Sequence, residues 1–60
     1  MTTITLTKHQ TETYDSGDES TARDMLRPII EAARIMSERT SESVTIETAD
    51  GITIYIVREG

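Results

Sequence analysis

The stretch Ser43 to Arg58, SVTIETADGITIYIVR, limits what this chain can fold into more than any other, because two alternating runs of strand-formers flank the tight-turn pair Asp50-Gly51. It predicts a β-hairpin over residues 43–58. The loop length follows from what each option would bury. A two-residue Asp50-Gly51 loop sets Glu47 against Ile54 and Thr45 against Ile56, which places a carboxylate on the apolar face. A three-residue loop, Ala49-Asp50-Gly51, puts Gly51 in the left-handed position of a bulged turn and pairs Thr48 with Ile52, Ile46 with Ile54 and Val44 with Ile56. One face is then apolar throughout, so this is the expected register. Ile52, Ile54 and Ile56 share the buried face, while Tyr55 and Val57 point to the other, beside Thr45.

The segments before the hairpin divide by periodicity. Residues 2–8 alternate Ile4 and Leu6 against threonines and read as a first strand. Residues 9–20 hold Glu12, Asp15, Asp18 and Glu19 with no Lys or Arg, and read as an acidic, mobile connection anchored only by Tyr14. A helix is expected over 21–39. Ser20 can cap it, Thr21 and Asp24 have capping-box spacing, and Asp18 and Glu19 lie near the positive end of its dipole. Met25, Leu26, Ile29, Ile30, Ala33 and Met36 recur at spacings of three and four, opposite a charged side with Arg27–Glu31 and Arg34–Glu38 at i,i+4. Pro28 removes a donor and disfavours helical geometry at Arg27, so a kink is expected there. Thr40-Ser41-Glu42 is a polar link.

These elements give an α+β chain, β-α-β-β, with a three-stranded, mostly antiparallel sheet. The last strand is the most apolar and suits the centre, giving order 1-3-2 with the kinked amphipathic helix over the isoleucine face. The runner-up is order 1-2-3, in which a crossover makes the first two strands parallel.

Size limits function as well as fold. Sixty residues with no cysteine have neither a disulfide nor a thiolate metal site to reinforce a small core. Self-association is the remaining device, and a homodimer is expected. The net charge of −5, from 11 acids against 6 bases, argues against direct binding of nucleic acid or an anionic membrane and favours a basic protein partner. No apolar run has the length of a membrane span or signal-peptide core, so a cytoplasmic location is expected. His9, the single histidine, has no companions at ligand or triad spacing. Asp15, Gly17 and Glu19 fall at alternate positions as in a calcium loop, but Ser20 and Leu26 stand where that loop needs glycine and glutamate. No metal, cofactor or catalytic set is expected, and the chain is read as non-enzymatic.

Two resemblances are short or coarse. Asp15-Ser16-Gly17-Asp18-Glu19-Ser20 resembles the DSGxxS phosphodegron read by an F-box ubiquitin-ligase adaptor, which implies Ser16 and Ser20 as phosphorylation sites. The strand-helix-strand-strand order resembles the core of the DinI family of RecA modulators, without that family's acidic C-terminal helix, and implies fold alone.

The expected function is therefore a small acidic interaction or regulatory module. Its candidate contact residues are the acids Glu12, Asp15, Asp18 and Glu19, the helix flank Pro28, Ala32 and Ile35, and the outer sheet residues Tyr55 and Val57. The alternative is a phage-type acidic inhibitor whose carboxylates stand in for nucleic-acid phosphates on a basic host protein.

Overall fold

The computed structural model describes residues 2–58, and its elements are β1 (Thr2–Thr5), α1 (Lys8–Ser16), α2 (Glu19–Thr40), β2 (Val44–Glu47) and β3 (Thr53–Val57). The chain is α+β with one three-stranded sheet, but the order is β1-β2-β3 rather than 1-3-2. β1 runs parallel to β2, from Thr2 opposite Val44 to Thr5 opposite Glu47, and β2 runs antiparallel to β3. The centre goes to β2 because it has a buried residue on both faces: Val44 and Ile46 lie under α2, and Thr45 is shielded on the opposite side. A parallel pair needs a long crossover, and the two helices supply it.

Two helices stand where one kinked helix was expected. Residues 8–16 form α1 in place of an open connection, because Thr7 and Gln10 make a complete capping box. The Gln10 amide donates to Thr7 Oγ1 at 3.1 Å and the Thr7 amide donates back to Gln10 Oε1 at 2.9 Å. Thr7 therefore ends the first strand early, although the Leu6 amide still donates to the Glu47 carbonyl at 2.9 Å. Asp18 caps α2, two residues ahead of the expected Ser20. The helix then runs unbroken through Pro28, whose missing donor affects an exposed part of the helix where water can serve the carbonyl of Asp24. Its surface pairs are Glu19–Arg23 and Glu31–Arg34 rather than the two expected at i,i+4. Ser41 ends it in the left-handed conformation, φ 56°, the role that a glycine more often fills.

The hairpin tip matches expectation. The Gly51 amide donates to the Thr48 carbonyl at 2.9 Å, the Thr48 amide donates to the Ile52 carbonyl at 2.9 Å, and Gly51 has φ 87°. Beyond the tip the pairing departs from it. Ile46 lies opposite Tyr55 and Glu47 opposite Thr53, so Ile54 is the extra residue of a β-bulge. The bulge shifts the alternation by one. Val57 then pairs with Val44 instead of Ile56, and since paired residues share a face, Tyr55 and Val57 lie on the helix side and not on the outer face. Ile54 packs on the core, whereas Ile52 and Ile56 are 62% and 46% exposed. The apolar face of three isoleucines is replaced by Ile54, Tyr55 and Val57.

The core is small and wholly aliphatic. Leu6, Ala33, Val44 and Ile46 are buried, and Ile4, Met25, Leu26, Ile29, Ile30, Met36, Ile54 and Val57 pack around them. Ala33, with no exposed surface, lets α2 come close to β2. Polar residues complete the packing at both ends. Buried Thr11 of α1 accepts from the Ala49 amide at 2.9 Å and donates to the Thr7 carbonyl at 2.9 Å, which ties α1 to the hairpin tip. Buried Ser37 donates to the Glu42 carbonyl at 2.7 Å and fixes the entry to β2.

Candidate functional site: a groove at the helix joint

The joint between the helices positions an open groove. The Gly17 amide donates to the Thr13 carbonyl at 2.8 Å, closing α1. A β-carbon on Gly17 would lie 2.5 Å from that same carbonyl oxygen, so only glycine fits this turn. Asp18 is extended and starts α2, accepting from the Thr21 amide at 2.7 Å. Donation from Thr21 to this carboxylate, backbone first and side chain second, holds the Asp18 pKa below its ordinary value.

Past this joint, Ala22, Leu26 and Ile30 recur at four-residue spacing along α2 and floor a groove of about 410 Å³. Tyr14 of α1 and Tyr55 of β3 line it as well. Gly17, Asp18, Glu19 and Arg23 form its polar part, with Arg23 Nη2 2.9 Å from Glu19 Oε1. The chain has two tyrosines, no phenylalanine and no tryptophan, and both tyrosines line this one groove. Tyr55 is brought there by the bulge at Ile54, which turns it to the helix side.

The residues singled out in the sequence divide into three groups. Asp18, Glu19 and Tyr55 meet at the groove. Glu12 and Asp15 are exposed on α1 and do not line it. Pro28, Ala32 and Ile35 are exposed on α2 at spacings of four and three, so they form a separate apolar stripe, with Ile35 52% exposed. Val57 is half-buried against the core. His9 is exposed on α1, and among the described residues no three His, Asp or Glu side chains gather as a metal site. Ser16 lies at the end of α1 with its hydroxyl on the Glu12 carbonyl at 2.6 Å, and Ser20 is in the first turn of α2. Among the described residues no helix is long and apolar enough to cross a membrane.

Tyr14, Ala22, Leu26 and Ile30 were not picked out as site residues in the sequence. The signal for Tyr14 is there: the Thr7-x-x-Gln10 capping pattern starts a helix that puts it one turn before Gly17. The groove floor has no such signal, because Leu26 and Ile30 have the same spacing whether they meet a sheet or border a cleft. No protein-family model matches the chain, and no curated protein and no solved structure matches it.

Proposed function

We propose that this chain is a small non-enzymatic protein-interaction module whose binding surface is the groove between Tyr14, the first half of α2 and Tyr55. The observation that carries this reading is the groove itself: an apolar floor with a charged border, lined by both tyrosines of the chain. The stripe Pro28-Ala32-Ile35 supports self-association on the far side of α2, as a homodimer seam distinct from the groove. The test is capture from native extract with Ala22→Arg, which fills the groove at a position outside the core, beside Ile35→Asp, which alters only the stripe. Loss of the partner with the first variant and of the dimer with the second is the expected result. Retention of every partner by a folded Ala22→Arg chain rules the groove out. Sedimentation at micromolar concentration checks the dimer, and a monomer with a concentration-independent Tm removes it.

The acidic-inhibitor reading rests on Glu12 and Asp15, exposed on an ordered helix, with Asp18 and Glu19 across the joint. Arg23 on Glu19 weakens that field, so this reading stands second. Salt separates the two. Binding by phosphate mimicry collapses at moderate ionic strength, whereas binding in the groove weakens far less, because contacts removed from solvent are screened less than an exposed field of carboxylates.

A further inference from the structure

We propose that the occupant of the groove is a short segment of a basic protein that inserts a lysine or arginine side chain between Tyr14 and Tyr55. This rests on the groove being the binding surface, and it names the chemistry that fills it. A purely apolar ligand would use the floor and leave the rest of the site without a role. The two tyrosines offer π-faces and hydroxyls, which attract a cation as well as they pack a chain of methylenes. Ala22, Leu26 and Ile30 suit the aliphatic stem of such a side chain, and Glu19 and Asp18 sit at the border where its charged head would emerge. A net charge of −5 draws a basic partner and repels an acidic one. At about 410 Å³ the groove exceeds one side chain, so neighbouring apolar residues of the segment enter with it.

The structure already holds a guanidinium at this border. Arg23 Nη2 lies 2.9 Å from Glu19 Oε1, and both side chains are well exposed, so the pair is weak and exchangeable. Arg23 is then an internal competitor: it satisfies Glu19 in the free protein and gives way to the incoming cation. Removing it should strengthen binding, whereas an occupant held by apolar contact alone would be indifferent to the change.

Blocked pentapeptides with a central arginine flanked by leucines test the idea, with controls carrying citrulline or glutamate at the centre. Backbone amide shifts of the 60-residue chain give the site, and tyrosine fluorescence gives the affinity. The arginine peptide is expected to move the amides of Tyr14, Glu19, Ala22 and Tyr55, and to bind roughly tenfold more tightly than its citrulline control. Glu19→Gln and Tyr55→Leu should each weaken the arginine peptide several-fold, and Arg23→Gln should tighten it. All three positions are exposed, so the variants should keep the fold, which the remaining amides verify. Equal binding of the citrulline peptide, or no response to Arg23→Gln, overturns the cationic occupant. Movement of the groove amides on dilution alone, with no peptide present, shows that a second copy fills the groove and also overturns it. If peptides fail while a folded Ala22→Arg chain still loses capture of a partner, the interaction module stands and only the cationic occupant is lost.

Discussion

α1 and α2 are separated by two residues, yet different forces hold them. α2 is amphipathic over its whole length and covers an aliphatic core through Ala33, Ile29, Ile30 and Leu26. α1 buries a single residue, Thr11, and is secured by hydrogen bonds: a capping box at one end, Gly17 at the other, and the bond to Ala49 between them. One helix is held by area removed from water and the other by satisfied polar groups. The first kind of attachment resists many single substitutions, whereas the second depends on a few particular atoms.

This contrast can be broken experimentally, beginning with the largest effect. Ile46→Ala, under α2 and with no exposed surface, should cost about 2–5 kcal/mol in denaturant unfolding, the usual range for a large-to-small core change. A loss below about 1 kcal/mol would show that α2 is not held by burial, since surface changes stay within that range. Thr11→Val keeps the shape of the side chain but removes the acceptor of the Ala49 amide, a part-buried bond, with an expected cost of up to about 1.5 kcal/mol. Hydrogen exchange should accelerate at Ala49 and across α1 while β2 stays protected. Uniform acceleration would mean that α1 and the sheet open together, and the contrast between the helices would fail.

Smaller effects sharpen the comparison. Thr7→Ala removes the α1 cap and should cost about 1 kcal/mol, seen as lost helicity confined to residues 8–16. The caps also differ in their response to acid. Asp18 is ionised when it caps α2, and its folded pKa lies below its unfolded one, so its contribution is full above the unfolded pKa and disappears as pH falls through the folded pKa. The Thr21 amide resonance should therefore titrate with a midpoint below the ordinary aspartate range. The Gln10 amide, bonded to a neutral hydroxyl, should move little over the same acid interval. A matching titration at both amides would remove the distinction.

The same division explains what could be read from the sequence. α2 was legible because burial leaves a period of three and four in the apolar residues, and the turn at Gly51 was legible because few residue types tolerate its φ. α1 was hidden, since its threonines suit a strand by propensity and its fixing bond reaches from Thr11 to the distant Ala49. The bulge at Ile54 was hidden as well. An alternating run looks the same whether or not a residue is skipped, and that skip decides that Tyr55 rather than Ile56 faces the helices. Most of the groove was therefore out of reach: Asp18 and Glu19 were singled out as acids and Tyr55 as an outer-sheet residue, but nothing local connects the acids with Tyr55.

The parallel pairing of β1 with β2 has a consequence for how the chain is made. Thr2 meets Val44, so the first strand to leave the ribosome waits for a partner synthesised about forty residues later, at roughly 5–20 residues per second. Until then Ile4 and Leu6 have no sheet to join. The contacts of the nascent chain are local to the two helices, and loop closure across both of them is the slow, entropically costly event. A protein of this size would ordinarily fold quickly, but this one places its longest-range contact at the end of its sheet. A ribosome stalled before Val44 is made should therefore carry a protease-sensitive chain, and protection should appear only once β2 has emerged.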